Sequence, residues 1–523
     1  MLVYDMAEAR HSSSSPFLLK GLFRKPLILL ALLVAAGSAQ AQKYIEYASG
    51  MGSRDPNDGA VWILYRGVKA THEGMVLEAD SAHYDTRENS FTAFDNVAIQ
   101  LSDTTFIYGN ELYYDGNARV LDIWADTVVL IDGETQLLAN HLTYERNRAV
   151  AYYTEWGYGT SGDRNLFSRQ GEYNSELKQF YIYNDVWLSD STSELYTDTL
   201  LYNTETSVAH FESLTRIYTD SATIFSALGD YNTETRYAVS YRSSHVESKG
   251  QSIDSDTLFY DSQLQYGKAY GHVVIVDTAN QATCTGRYGE TSQAEHYSLV
   301  TDSAHVLFVD EGDSLFLHAD TIYVVTDSAA DLQSVRAFHR VKVYRRDAQA
   351  MCDSVFYSAV DSTAWLYGVP VLWYDHYQCV ADTIEVLLDT AGARRAWLRS
   401  SCFAMQQVDR EKFNQLKGHQ GVVYLKNGEP EWADVEGNAQ MVFYITDEDS
   451  AGRTVLVGVN AGVGSSMRIY FDSTRAPSRV VTFDNPDMNT YPVGSLPEEW
   501  KRLKDFKWHA DRRPRKPEDV FVW

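Results

Sequence analysis

The sequence predicts an all-β fold, an elongated stack of about eleven rungs of roughly 30 residues each. Three observations lead to this prediction. A tyrosine returns at a nearly constant spacing, apolar residues alternate with polar ones around it, and the composition favours strands, with 36 Tyr and only 11 Pro in 523 residues. Runs with the 3.6-residue period of an amphipathic helix are absent between residues 45 and 400.

The first element of the chain is an export signal. Basic residues between Lys20 and Lys25 precede the apolar run Pro26–Gly37, and the small-residue cleavage site Ser38–Ala41 follows it. The apolar run of about 12 residues is shorter than the roughly 20 that a membrane-spanning helix needs. We therefore expect residues 1–41 to be a cleaved signal peptide and the mature chain to be exported.

The repeat is clearest in the pentapeptide YNTET, which occurs at Tyr202 and again at Tyr231. Stepping along the chain at this spacing finds a tyrosine in rung after rung, and we call this position the Tyr slot. Background tyrosine frequency does not explain the series, so the spacing indicates a structural repeat. The slot is filled by Tyr84, Tyr114, Tyr144, Tyr173, Tyr202, Tyr231, Tyr260 and Tyr288, and then by Val324, Tyr357 and Val386.

The residues around the Tyr slot predict a strand and a turn. Two residues before the slot the chain is apolar or Gly, as at Leu112 and Leu200, so both positions share one face of a strand. Asp or Asn follows the slot, as at Asp115 and Asn203, and these residues start turns. Each rung then contains a second strand, exemplified by Asn96–Ile99, Asp185–Leu188, His272–Ile275 and Pro370–Trp373.

These rungs resemble the OstA/LptA-like family, whose members carry lipopolysaccharide across the periplasm. The likeness covers about residues 45–400, and its motifs are degenerate but repeated. Segments of the form I-x-A-D-x-V and G-N-V-x-V are typical of the family. The segments that carry the likeness here are Leu77–Asp85 (LEADSAHYD), Leu317–Ile322 (LHADTI), Cys379–Ile384 (CVADTI) and Gly271–Ile275 (GHVVI).

The resemblance implies a β-jellyroll folded over like a taco, whose apolar groove holds acyl chains. It implies a periplasmic lipopolysaccharide-binding and transport protein that bridges towards the outer membrane, and that could associate with it. The expected partners are lipopolysaccharide or a similar glycolipid, an outer-membrane translocon, and other bridge components or a second copy joined by strand addition at the end rungs. No cofactor is implied.

The apolar positions of the two strands in each rung are the candidates for the groove lining, and packing in a closed core is the alternative for each. A continuous apolar face would bury acyl chains at about 0.8 kcal/mol per methylene group. The candidates are Leu112, Leu142, Leu200, Leu258, Ile322, Val355 and Ile384 on one strand, and Val97, Val128, Val186, Val273, Val341 and Val371 on the facing strand.

The C-terminal part departs from the period. We expect an OstA-like β-stack over residues 42–404, an irregular β-rich continuation or cap over 405–487, and a short helix with a basic tail over 488–523. The helix is predicted to start near Ser495–Glu499, with Trp500, Leu503 and Phe506 on its apolar face. The basic tail is expected to be solvated, with contact to lipid phosphates as the alternative.

Charge and missing motifs exclude several function classes. The formal net charge of −26 argues against nucleic acid as a partner. No serine-hydrolase, metalloprotease, nucleotide-binding or metal-ligand motif occurs, so we expect neither an enzyme nor a metal site. Two alternatives stay open: a structural or adhesive surface β-solenoid without lipid binding, and a polysaccharide-acting parallel β-helix enzyme. The four Cys allow one disulfide or buried free thiols.

Overall fold

The computed structural model describes residues 44–310, 313–390, 392–448, 453–484 and 486–523. The predicted signal peptide, residues 1–41, lies outside the described residues. Residues 44–523 form one compact unit that consists almost wholly of antiparallel strands. Tyrosine, valine and threonine recur throughout these strands, as expected for side chains that fit a pleated, half-buried surface.

The strands follow one another with short turns. The first strands are β1 Glu46–Arg54, β2 Val61–His72, β3 Met75–Asp85, β4 Ser90–Gln100, β5 Thr105–Asp115, β6 Val120–Asp132, β7 Thr135–Glu145, β8 Val150–Tyr153, β9 Gly157–Ser161, β10 Arg164–Ser168, β11 Gln170–Asn174, β12 Gln179–Ser189 and β13 Ser193–Asn203. The middle strands are β14 Val208–Phe211, β15 Thr215–Thr219, β16 Thr223–Ser226, β17 Leu228–Asn232, β18 Tyr237–Arg242, β19 Ser244–Ser248, β20 Gln251–Ser255, β21 Thr257–Asp261, β22 Tyr266–Asp277, β23 Ala282–Ser292, β24 Tyr297–Asp310, β25 Asp313–Thr326 and β26 Leu332–Tyr344. The last elements are β27 Ala348–Ser358, β28 Thr363–Tyr367, β29 Val371–Tyr374, β30 Tyr377–Val380, β31 Thr383–Asp389, β32 Gly392–Arg399, β33 Phe403–Gln407, β34 Phe413–Lys417, β35 Gln420–Lys426, β36 Glu429–Glu448, β37 Thr454–Phe471, β38 Pro477–Phe483, β39 Asp487–Tyr491, helix α1 Glu498–Lys501 and a 3₁₀ turn at Pro517–Phe521.

Each sequence repeat is an antiparallel hairpin. β3 pairs with β2 and β4, and β5 pairs with β4 and β6, so one long strand runs out and the next returns. The pairings of the described residues are antiparallel, which makes the parallel β-helix alternative wrong. The all-β stack predicted from the period is confirmed.

The long strands bend near their middle, which folds the sheet into two facing walls. We call wall 1 the part that contains Phe91–Ala93 and wall 2 the part that contains Val97–Ile99. At the bend two consecutive residues take left-handed backbone angles, with φ of 59° and 51° at Asp95 and Asn96. Gly, Asn and Asp adopt this conformation most readily, which explains the G-N form of the repeat motif. Other such pairs are Arg66–Gly67, Asn184–Asp185, Gly271–His272, Asp302–Ser303, His339–Arg340, Gly368–Val369, Ser400–Ser401 and Gly437–Asn438.

The Tyr slot lies on the inner face of wall 1. Tyr84, Tyr114 and Tyr144 are joined across the sheet through Phe91 and Leu121, which sit between them on the returning strands. The series continues through Tyr173, Tyr202, Tyr231 and Tyr260, which are at most 2% exposed. These rings fill the space between the walls.

The slot assignment of Tyr288 is wrong. Tyr260 pairs with Gly267, and Gly267 pairs with Thr291, so Thr291 occupies the Tyr slot in β23. Tyr288 stands three residues away, and an odd displacement along a strand reverses the face. Its ring therefore packs on the outer surface against Tyr270, at 5.0 Å between ring centroids.

The inward placement of Val371 is also wrong. Elsewhere the residue directly after a left-handed pair points inward, as Val273 does after Gly271 and His272. The corresponding pair here is Gly368 and Val369, so Pro370 takes the inward position. Val371 pairs with Met351 and packs with Trp373 on the outer face of wall 2.

The C-terminal residues form an additional layer on this outer face. The strands continue through β39, and residues 496–523, which we call the strap, then run back across wall 2. Leu496 and Leu503 pack against Phe403 and Met405. The basic tail is therefore docked on wall 2 rather than free, although most of its basic side chains, such as Lys504 and Arg512, are exposed as a solvated tail predicts. The predicted helix is a single turn, α1.

Three buried glutamines hold the strap, two of them by its backbone and the third by a side chain. Gln415 accepts a hydrogen bond from the Leu503 amide and donates one to a strap carbonyl, at 2.9 and 3.1 Å. Gln378 does the same with His509 and Lys507, at 2.7 and 2.8 Å, and Gln349 accepts from Arg513 at 2.7 Å. A carboxamide has the donor and acceptor of a peptide group, so Gln415 and Gln378 can pair with the strap backbone as a strand would, whereas Gln349 holds the Arg513 side chain.

The four cysteines are free thiols. Cys284, Cys352 and Cys402 are buried, and Cys379 is half-buried. Burial raises the pKa of the Cys284 and Cys352 thiols to about 12. The sequence left open whether two of the cysteines form a disulfide, and in the structure all four are unpaired.

Candidate functional site: an apolar groove between the walls

A cavity of about 730 Å³ lies between the walls in the C-terminal half of the unit. Two facing rows of cross-strand neighbours line it. On wall 1 the row is Tyr357, Ala364, Val386, Ala396, Val423, Ala433, Ile469 and Val480. On wall 2 it is Leu317, Val343, Ala350, Leu372, Cys379, Ala404, Leu416 and Met441. We call this cavity the groove.

The groove exists because the side chains in the Tyr slot become small. The wall 1 row of the groove is in register with the Tyr slot, through Val324 and Val335. In the strands β1–β22, which we call the stem, the slot carries a buried tyrosine in rung after rung. In the wall 1 row of the groove, Tyr357 is the one aromatic member, and the others are Ala, Val or Ile. Their smaller volumes leave the facing walls unfilled, whereas protein interiors are otherwise close-packed.

The open edges of the two walls are joined by hydrogen bonds along the stem, and we call this line the seam. The Tyr114 hydroxyl hydrogen-bonds His72 Nδ1 at 2.6 Å. The Tyr173 hydroxyl donates to the buried Asp132 carboxylate at 2.7 Å, and Lys178 forms an ion pair with the same carboxylate at 2.5 Å. Burial, followed by the contact with Asp132, raises the pKa of Tyr173. Tyr114 and Tyr173 thus both fill the stem and supply polar atoms to its seam, whereas the buried hydroxyls of Tyr202, Tyr231 and Tyr260 have no hydrogen-bond partner among the residues that the structure describes.

The groove opens between two bridges that cross from wall to wall. On the side of the stem, Asn280 donates to the Ala330 carbonyl at 2.8 Å. On the other side, the Tyr374 hydroxyl donates to the Gly428 carbonyl at 2.6 Å. The cavity lining between them includes Leu388 and Leu425, which are half-exposed, together with Asp313 and Arg345. We call this opening the mouth.

The cation at the mouth is paired. Arg345 contacts the Asp347 carboxylate with two nitrogens, at 2.6 and 2.7 Å. The hydrogen bond with Arg345 holds the pKa of Asp347 below its ordinary value, despite the opposing effect of partial burial. The mouth therefore combines an apolar floor with a charged rim of Arg345, Asp347 and Asp313, which suits a ligand with an apolar part and a polar part.

The structure places twelve of the thirteen predicted groove residues on the inner face. In the stem the candidates are closed off by the facing wall, each at most 2% exposed: Leu112, Leu142, Leu200, Leu258, Val97, Val128, Val186 and Val273. Ile322, Val341 and Ile384 are buried beside the bend, and Val355 lines the groove. Lipid contact at these residues stays a prediction.

The sequence prediction missed most of the groove lining. The wall 1 row from Ala364 to Val480 is not among the candidates. The wall 1 candidates stand two positions before the Tyr slot, next to the bend. A signal for the groove was present. The slot changes from tyrosine to Val324 and Val386 after a long tyrosine series, and a periodic loss of volume at one inward position indicates a cavity.

The fold and the groove define a class: a two-walled antiparallel β-protein with an apolar interior that opens along one edge. The family model described as OstA-like protein matches residues 44–198 and 182–256. The chain is therefore OstA-like over this range, which contains the segment Leu77–Asp85, and the resemblance is confirmed there; the segments Gly271–Ile275, Leu317–Ile322 and Cys379–Ile384 lie beyond the matched range. The matched range lies in the stem, and the groove follows it in the chain.

Comparison with solved structures finds a periplasmic protein. The crystal structure of LptH from Pseudomonas aeruginosa, the LptA-homologous periplasmic component of the conserved lipopolysaccharide transport device, matches with 15% identity. The match covers 21% of this chain and 75% of that chain, with a TM-score of 0.18. A search of curated proteins gave no match. Across the part of the chain that the structure describes, no helix combines the length and apolar character needed to cross a bilayer.

Proposed function

We propose that this protein is a periplasmic carrier of lipopolysaccharide or a similar acylated glycolipid, and that the groove shields the acyl chains. The observation that carries the proposal is the pair of facing apolar rows around a cavity of about 730 Å³. Acyl chains have no polar groups with which a site could form hydrogen bonds. A continuous apolar lining is therefore what a site needs to bind them. The OstA-like stem supports the assignment to lipid transport.

The cavity volume limits how much lipid the groove holds. A methylene group needs roughly the volume of one water molecule in the liquid, about 30 Å³, so about 24 methylene groups fit in the groove. That is the content of about two acyl chains of a dozen carbons. The polar part of the glycolipid would stay outside at the mouth, beside the Arg345–Asp347 pair.

The outer edge of β1 supports the proposed bridging role. Glu46–Arg54 pairs with β2 on one side, and its side chains are largely exposed. An edge strand of this kind can accept a strand from a partner. The proposed partners are a second copy, another component of a transport bridge, or an outer-membrane translocon.

Two adjacent residues of β35 provide a direct test. Val423 points into the groove, whereas Val422 points outward and pairs with Asp434 on the outer face. A photoreactive amino acid is placed at either position, and residues 42–523 are illuminated with lipopolysaccharide. We expect adducts at Val423 and none at Val422, because the acyl chains lie inside.

The control keeps strand, depth along the unit and labelling chemistry the same. Excess phospholipid vesicles are added as a competitor, which separates selective glycolipid binding from general binding of acyl chains. Equal labelling at both positions, or no adduct at Val423, would contradict the proposal and favour the structural or adhesive β-solenoid alternative.

A further inference from the structure

The interior of the stem and the interior of the groove differ in one periodic feature, the side chain in the Tyr slot. Tyr173, Tyr202 and Tyr231 are fully buried, whereas Val386 and Val423 at the same position are only half-buried. The strand pairing is otherwise the same kind of hairpin in both parts. Apart from Tyr357, which is half-buried at the end of the groove nearest the stem, the ring volume separates a filled interior from an empty one.

We propose that the ring in the Tyr slot decides which rungs hold lipid, so that the groove binds acyl chains and the stem is a dry spacer that carries none. This inference rests on the proposed function, since it concerns where along the unit the lipid is held. It also implies that lipid enters and leaves sideways through the mouth rather than by passing along the whole stack.

Two properties of the stem support this division. Its inner side chains are at most a few per cent exposed and include closely packed rings, such as Tyr173 and Phe180 at 4.5 Å between centroids. An acyl chain could enter only by displacing these rings, because a packed interior has no unoccupied volume of that size.

The seam is the second property. Entry along the stem would separate Tyr114 from His72 and Tyr173 from Asp132, in addition to the ion pair of Lys178. Separation would take Tyr173 and Lys178 away from the buried Asp132 carboxylate, which would keep the hydroxyls of Thr104 and Thr105 but lose its counter-ion, and this is strongly unfavourable. Tyr114 and Tyr173 therefore both fill the stem and hold it shut.

An exchange of slot residues tests the inference. The variant Val423→Tyr restores the stem residue in the groove, where the fold already accepts tyrosine at the equivalent position in seven rungs of the stem. Its reporter is a photoreactive residue at Val386, two strands away in the same row. We expect lipopolysaccharide labelling at Val386 to be lost in Val423→Tyr, and to persist in the outward control Val422→Tyr.

The reciprocal exchange opens the stem. In Tyr260→Ala, a photoreactive residue at Leu258 should become labelled by lipopolysaccharide, whereas Leu258 in the otherwise unchanged protein should not. Since removal of a buried ring can unfold a variant, hydrogen exchange of the unaltered protein is measured as well, with and without lipopolysaccharide. We expect added protection in β27–β37 and none in β5–β18.

The outcomes separate the two proposals. Labelling at Leu258 in the unaltered protein, or lipid-dependent protection of the stem, overturns the dry-spacer inference while leaving the carrier function intact. Unchanged labelling at Val386 in Val423→Tyr also overturns it, because the ring would then not decide entry. Absence of any labelling at Val423 in the unaltered protein contradicts the carrier function itself.

Discussion

The docking of the strap on wall 2 should depend on Gln378 more than on any exposed contact. Gln378 is 0% exposed, and its carboxamide makes hydrogen bonds with the Lys507 carbonyl, the His509 amide and the Trp373 indole. In Gln378→Leu the shape is nearly kept but these three groups lose their partner. A buried polar group without a partner costs about 1–3 kcal/mol, and some regain water, so we expect the strap to be destabilised by about 3 kcal/mol.

Amide hydrogen exchange of residues 500–510 is the appropriate measurement, because local opening in a repetitive unit need not follow global unfolding. A loss of about 3 kcal/mol corresponds to exchange that is faster by about a hundredfold. Gln420→Leu is the matched control, since Gln420 donates to Glu436 at an exposed site. Equal exchange of the strap in both variants would refute the role given to the glutamines.

Two further predictions concern titratable groups. Burial, followed by the charge of neighbouring His318, lowers the pKa of His305 to about 4, and the His305 ring packs on Phe521 of the strap at 5.1 Å. A lowered pKa in the folded state means that docking is favourable above pH 6.5 and is progressively lost as the pH falls towards 4, so hydrogen exchange of residues 517–523 should accelerate over that range. His305→Phe should weaken this dependence, while His318, which also packs on Phe521 and whose pKa is lowered by burial, still titrates; an unchanged pH profile would contradict the assignment. Separately, a maleimide at neutral pH should leave Cys284 and Cys352 unmodified until the protein is denatured, because the buried thiols do not ionise. Mass spectrometry that finds rapid labelling of the native protein would contradict their burial.

The strap also explains how wall 2 is stabilised around the groove. Where a wall faces a cavity, it lacks the inner packing that stabilises the stem. In this region wall 2 is covered from behind by the strap, with Trp373 and Met405 packed on its outer face. Strands beside the groove are thus supported on the side that lipid does not reach.

Local sequence patterns were enough to predict the repeat, its strands and the face of most inward residues. Period-2 alternation and turn residues are local properties, so Tyr114, Leu142 and Val273 were placed inward correctly. Val371 and Tyr288 were placed on the wrong face. The face of each depends on the strand register that a left-handed pair or a turn sets, and a shift of one residue moves a side chain to the opposite face.

Whether the space between the two walls is filled or empty depends on the tertiary structure and could not be predicted from the sequence. Each rung has an apolar face, but a cavity depends on the summed volumes of side chains from two walls that are far apart in sequence. The docking of the basic C-terminal segment could likewise not be predicted from the sequence. Its partners Gln378 and Gln415 precede it by about a hundred residues, and the whole fold is needed to bring them together. Local patterns fix the strands, whereas the packing of walls and strap is a non-local balance of volume and buried hydrogen bonds.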